Sequence, residues 1–273
     1  MRGYRANHFA SALARLALLA CLIAGTDTNA GQRAAPSEQA ASISTALRFA
    51  TLTERIAMLH AQIGQNILTD RAHRALTGAI AEFEAGLRAM GSRGSAGEIR
   101  DNYLLLSNLW PEYRAWALKA ATPSNARKLA ERTEEVVWVA DKGARLLIEQ
   151  ARAATTSQAL TAARACTLSQ RIAKLYLLRR WGIRDEKFTP ELKVAEIEYR
   201  RALQMLHEAP QNTPEVLAQL QLAENQSRFL EQAAEQFERG KDAARQIEFI
   251  AKSGDHLFEI MQRVVSLYES AAP

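Results

Sequence analysis

The sequence predicts an all-α protein: two tandem antiparallel four-helix bundles, stacked end to end through a long shared helix. Three observations predict it. Alanine is abundant, the 273 residues hold only 13 glycines and 7 prolines, and β-branched runs are absent after residue 36, which favours helix over strand. Apolar residues recur at three- and four-residue spacing through successive segments separated by turn residues. The first of these segments, Arg48 to Gly64 (RFATLTERIAMLHAQIG), returns later as Arg164 to Gly182 (RACTLSQRIAKLYLLRRWG).

The N-terminus reads as a signal peptide over residues 1–30. Arg2 and Arg5 precede an apolar stretch from Phe9 to Ala24 that only Arg15 interrupts, and Thr28-Asn29-Ala30 offers small residues before a cut at Gly31. Leu16 to Ala24 is too short to span a bilayer. Cys21 leaves a lipid-anchored reading open, and an uncleaved anchor is a further alternative. Residues 31–40 form a flexible leader. A first helix then runs from about Glu38 to Leu68 with Leu52, Ile56, Leu59 and Ile63 on one face. Thr69 and Asp70 cap a second, carrying Leu76, Ile80, Phe83 and Leu87 to about Met90. The glycine- and serine-rich stretch Gly91 to Gly97 is a loop. A third helix holds Ile99, Tyr103, Leu106, Trp110 and Tyr113, with Pro111 as a candidate kink. Thr122-Pro123-Ser124-Asn125 breaks it and caps a fourth, with Leu129, Val136, Val139 and Leu147.

The order then recurs. The fifth helix ends near Gly182, the sixth starts with Thr189 as cap and Pro190 in its first turn, the seventh follows the two prolines of Glu208–Pro214, and the eighth follows Gly240. At an offset of 116 (164 − 48), Arg48 matches Arg164, Thr51 matches Thr167, Arg55-Ile56-Ala57 matches Arg171-Ile172-Ala173, and Glu82-Phe83 matches Glu198-Tyr199. In the closing helices an offset of 121 (255 − 134) pairs Glu134 with Asp255 and Val136-Val137 with Leu257-Phe258. Such a register marks an internal repeat, with repeats at 41–153 and 157–271. Between Ser124 and Gly182 there is no proline and only Gly143. A continuous rod of ~90 Å is therefore expected there, with Thr155-Thr156-Ser157 as its candidate break.

Charge and motifs exclude several functions. The chain carries +5. Loss of residues 1–30 removes Arg2, Arg5, Arg15 and Asp27 and leaves +3 (32 − 29), a mild excess spread along the chain that does not argue for nucleic acid. Cys166 would be the sole remaining cysteine, so no internal disulfide is expected, and a packed, inert thiol is its ordinary role. The histidines His60, His73, His207 and His256 show no metal-ligand spacing, and no cofactor is expected. Neither a nucleophile elbow nor a phosphate-binding glycine loop is present, so catalysis is not expected.

The stretch TLSQRIAKLYLLRRWG resembles the signature helix of the PilJ/NarX-type N-terminal sensor domain. That family includes type IV pilus chemotaxis transducers and nitrate/nitrite sensor kinases, and Leu168 to Lys174 carries the match. The closing helix, from Ile250-Ala251 through Leu257-Phe258 to Tyr268-Glu269, also resembles the family's pattern. The resemblance covers most of residues 41–271 as two copies. It implies a periplasmic, ligand-sensing four-helix bundle, often dimeric, with the ligand between helices or at the dimer interface. The arginine that holds nitrate in the family corresponds here to Cys166 and Ala50.

The remaining candidate ligand contacts are Arg48, Arg55, Arg164 and Arg171, with Ser169 and Gln170 beside them. Forked guanidinium donors suit a small oxyanion; interhelical salt bridges that fix bundle register are the alternative. The expected function is a soluble exported sensory or ligand-binding protein for a small anion, signalling to a membrane receptor or transporter. The competing reading is a structural or interaction bundle of the cell envelope without a small-molecule ligand.

Overall fold

Helix dominates wherever the chain is described. The computed structural model describes residues 38–92, 97–151, 157–240 and 242–271, and no strand occurs among them. The signal peptide, Cys21 and residues 31–37 of the leader lie outside the described residues, as do most of the glycine-rich loop and Thr155-Thr156; residues 38–40 of the leader already belong to the first helix. The helices are α1 (Glu38–Gly64), α2 (Thr69–Ser92), α3 (Glu98–Ala117), α4 (Pro123–Ala151), α5 (Ser157–Arg180), α6 (Phe188–His207), α7 (Pro214–Glu238) and α8 (Ala243–Ala271). None of them is long and apolar enough to cross a membrane.

Most helix ends follow the local chemistry. Thr122 Oγ1 accepts from the Asn125 amide at 3.3 Å ahead of α4. Thr213 Oγ1 accepts from Val216 N, with Pro214 in the first turn of α7. Gly182, at φ 77°, terminates α5, and Ile183 N then reaches back to Leu178 O, the left-handed C-terminal cap that glycine adopts most readily. Two boundaries differ from expectation. α1 stops at Gly64, four residues early, because Asn66 and Leu68 take positive φ in a tight reversal and Ile67 N bonds Gln62 O. α6 opens on Lys187 without a side-chain cap, so Thr189 already lies inside the helix. Pro111 sits within α3 without ending it.

α1 packs on α2 and α4, and α3 on α4; α5 packs on α6 and α8, and α7 on α8. His60 of α1 meets Ala117 O at 3.1 Å and Phe49 meets the Tyr103 ring, so α3 runs alongside α1 in the same direction. Tyr113 meets Thr133, while Gly143 abuts Asn102 and Tyr103, so α4 runs the opposite way.

The two sets of contacts join through α1 and α5. These helices lie parallel at the offset of the sequence repeat: Thr51 Oγ1 and Thr167 Oγ1 share a hydrogen bond of 2.8 Å across 116 residues. Further along, Gln65 Nε2 donates to Leu177 O, and Gly64 lies against the Trp181 ring. The expected end-to-end stack through a shared helix is therefore not what forms. α5 reverses the direction of α4, so Pro123–Ala151 and Ser157–Arg180 are separate helices, and α1 lies beside α5. The physical reason is burial. From Phe49 to Gln62 every residue of α1 is buried, and α5 is nearly as enclosed from Ala162 to Leu178. Helices without a solvent face need neighbours all round, and an end-to-end stack would leave one side of each in water.

The interiors differ in composition. Among the first four helices, Phe49 contacts Phe83 edge-on at 4.8 Å, Phe83 stacks on Trp110 at 3.9 Å, and Trp110 leans on Tyr113 at 5.9 Å. Tyr113 Oη donates to Thr53 O at 2.7 Å.

Candidate functional site

The sequence-derived arginines fall into two classes set by their position on α1 and α5. Arg48 and Arg164 make their shortest pairs within their own set of helices, although Arg164 also reaches α4. Arg48 pairs with Glu82 of α2, and Arg164 pairs with Glu198 of α6 at 2.8 Å, with Asp141 of α4 at 3.5 Å. Both Glu82 and Glu198 lie 34 residues on, so this is one ion pair occurring twice. These arginines are partly exposed, where such pairs contribute little.

Arg55 and Arg171 instead cross between the two sets of helices. Arg55 of α1 reaches Asp255 of α8 at 3.1 Å, and Arg171 of α5 reaches Glu134 of α4 at 3.2 Å. The repeat register had already matched Arg55 with Arg171 and Glu134 with Asp255. Each arginine thus grips the acid that its counterpart's own set of helices supplies. The exchange is reciprocal, as at an isologous interface.

Around this shared frame the two sides are loaded differently. On one side Glu54 of α1 is fully buried and faces two cations of α5: Arg171 Nε at 2.7 Å and Lys174 Nζ at 2.9 Å. Lys174, itself 1% exposed, also lies 3.4 Å from Glu134, and Glu191 of α6 stands 3.6 Å from Arg171. Burial pushes the Glu54 carboxyl up, but Lys174 and Arg171 outweigh it and hold it below the usual carboxylate range. Burial likewise opposes the charge on Lys174, and Glu54, Glu134 and Glu191 more than restore it. Three carboxylates share two cations, and Glu191 bears the excess: burial, reinforced by Glu134 and Glu54, pushes its carboxyl up to about 7.

The other side balances. Arg55 also donates to Gln170 Oε1 at 3.1 Å, and its guanidinium lies 3.9 Å over the Phe258 ring. Asp255 takes a second cation, Arg71 of α2 at 3.3 Å, which in turn meets Glu259 at 3.2 Å. Gln170 occupies the position that Glu54 holds on the first side, and Met58 the position of Lys174. Gln170 Nε2 donates to Gly254 O at 2.9 Å, and Ser169 Oγ to Cys166 O at 2.7 Å. Burial pushes the Cys166 thiol up to about 12, so it stays protonated and unreactive. Among the described residues no group of His, Cys, Asp and Glu could hold a metal ion.

The structure thus brings Arg55, Arg171, Ser169 and Gln170 into one buried layer between α1 and α5 and leaves Arg48 and Arg164 outside it. Every one of the four guanidiniums faces a carboxylate. Glu54, Lys174 and Glu191 complete the layer and were not foreseen. Their only signal was the lack of a polar face in α1 and α5, which places charged residues where solvent cannot reach.

No family model matches the chain, and no curated protein or solved structure matches it. The likeness to the PilJ/NarX-type domain therefore rests on the Leu168–Lys174 motif and the closing-helix pattern.

Proposed function

We propose that this chain is an exported, non-catalytic sensory protein made of two PilJ/NarX-type four-helix repeats, 41–153 and 157–271, that acts on a membrane receptor or transporter from the periplasm. The carrying observation is the Thr51–Thr167 contact at the repeat offset. It supports an α1–α5 seam in the role that a subunit interface plays in the resembled sensors, held here within one chain. The crossed Arg55–Asp255 and Arg171–Glu134 pairs support a layer that joins the repeats. A small anion entering it would meet Glu54, Glu134 and Glu191 on one side and Asp255 and Glu259 on the other, so the arginine layer serves as the joint and the ligand binds elsewhere.

A screen of small molecules by thermal shift, followed by spin-label distances between the exposed faces of α2 and α6, tests this reading. A ligand that raises the melting temperature and changes the distance is the expected result. The alternative, an interaction bundle without a ligand, is favoured by one feature: Val194, Ile197 and Met205 lie exposed along one face of α6. It predicts neither a thermal shift nor a distance change with any compound.

A further inference from the structure

The two halves fill their interiors differently, and the difference falls at one place. The buried positions of α3 (Ile99, Tyr103, Leu106, Trp110, Tyr113 and Ala117) recur along α7 at an offset of 117 (227 − 110) as buried Val216, Leu220, Ala223, Leu230 and Ala234, with half-buried Ser227 at the position of Trp110. Trp110 therefore corresponds to Ser227 and Tyr113 to Leu230. Phe83, on which Trp110 stacks at 3.9 Å, corresponds to Tyr199. In the second half a cleft opens between Tyr199, Ser227 and Leu230, floored by Ser169, Ile172 and Leu257. Those floor residues are the counterparts of Thr53, Ile56 and Val136. By register, the cleft stands at the position that the Trp110 indole fills in the first half.

We propose that this cleft is a binding site for a small, uncharged heteroaromatic molecule of indole size, which stacks on Tyr199 as Trp110 stacks on Phe83. The proposal rests on the sensory reading above and names its ligand class and site.

Three features set the chemistry. The Tyr199 side chain is buried, and its hydroxyl has no hydrogen-bond partner. Phe83 carries no such group, so a polar atom has been added where no protein group uses it, and an unmet buried hydroxyl is costly. Burial pushes its pKa up, which keeps it a donor to a ring nitrogen or oxygen. Ser227 Oγ donates its proton to Glu224 O at 2.9 Å and keeps its lone pairs for a ligand N–H. Glu196 and Glu231 stand at the rim, Glu196 accepting from Tyr176 and Glu231 paired with Arg200 at 3.1 Å; an acidic rim disfavours carboxylates.

As the side chains stand, the cleft admits about one water molecule, so an indole enters only as they part. α6 and α7 meet only sparsely, so the side chains at the mouth have room to part. Apolar cavities left by a missing ring bind small aromatics in otherwise close-packed proteins.

Indole is the probe, titrated by calorimetry into the chain from residue 31 onward, with benzoate as the charged control. One indole per chain is expected, with no benzoate binding. Ser227→Trp restores the first half's arrangement and should weaken indole by at least about tenfold while melting no lower than wild type. Tyr199→Phe, which removes only the hydroxyl, should weaken it about three- to tenfold. Absence of indole binding, or equal binding by folded Ser227→Trp, would overturn the site. If Ser227→Trp does not fold, indole-induced NMR shifts decide: shifts centred on Tyr199 and Leu230 support the site, and shifts elsewhere refute it. Indole bound here with no change in the α2–α6 distance would uphold the site and sink the sensory reading. Another compound that changes the distance while indole fails to bind would do the reverse.

Discussion

Glu191 shows how one side chain can record the charge imbalance of its surroundings. Its carboxyl, with an ordinary value of 4.5, rises to about 7 because burial, Glu134 and Glu54 together outweigh Lys174 and Arg171. A carboxyl whose folded pKa is raised binds its proton more tightly in the folded chain. Its contribution to stability is therefore complete below about 4.5 and is lost as pH climbs through about 7. Glu54 works in the opposite sense: its lowered pKa stabilises the fold above the ordinary value and is lost on acidification. The two together put the layer's optimum in mildly acidic solution. Over that window Glu191 accounts for on the order of 3 kcal/mol. Glu191→Gln should leave the urea midpoint near wild type at about pH 5 and raise it at about pH 8. An unchanged pH dependence in the variant would show that Glu191 does not carry the imbalance.

At the scale of the element, the contest is between α1 and α5, two copies of one helix that face each other with different cargo. Glu54 opposite Lys174 is a buried ion pair; the corresponding positions on the other side hold Gln170 and Met58. Removing one member leaves the other with a single opposite partner, Glu54 with Arg171 or Lys174 with Glu134, which costs about 1–3 kcal/mol, whereas replacing both is often neutral. Lys174→Met alone should therefore lower stability by about that amount. Glu54→Gln with Lys174→Met, which copies the other side, should recover most of it in a denaturant-melt double-mutant cycle. Additive losses would mean that the pair is not coupled. The sequence displayed the repeat register, the four arginines and the equivalence of Glu134 with Asp255, since each is a matter of residue type and spacing. It also placed all eight helices, because caps, glycines and prolines act within a turn of where they stand. It misjudged how α1 and α5 pack. Their apolar spacing at Leu168, Ile172 and Leu175 looked one-sided, but the small residues between, Ala165, Thr167, Ser169 and Ala173, are buried as well. Small side chains give little hydrophobic signal, yet they let neighbouring helices approach from every side. The replacement of Trp110 by Ser227 was equally hidden, because α3 and α7 match in the spacing of their buried positions and not in residue type.

For the whole molecule, the crossed contacts make the two halves specific for each other. A pair of identical first halves, joined along α1, would set each Glu54 against Met58 with no lysine to neutralise it. A pair of identical second halves, joined along α5, would bury each Lys174 opposite Gln170. Only unlike halves bring Glu54 and Lys174 within 2.9 Å; a like pairing keeps an arginine beside Glu54 or an acid beside Lys174 but loses this ion pair, a device by which an interface disfavours the wrong partner. If the chain is opened between Ala151 and Ser157 and the pieces 38–151 and 157–271 are produced together, native mass spectrometry should show a one-to-one complex. The like pairs should be weaker by about tenfold or more, given the ion pair lost from each half-site. Copying Gln170 and Met58 into the seam, by Glu54→Gln in the first piece and Lys174→Met in the second, removes the distinction and should allow all three pairings. If the unsubstituted pieces already pair indiscriminately, the buried charges do not set the partnership, and the contact of Thr51 with Thr167 and the apolar seam around it would have to do so alone.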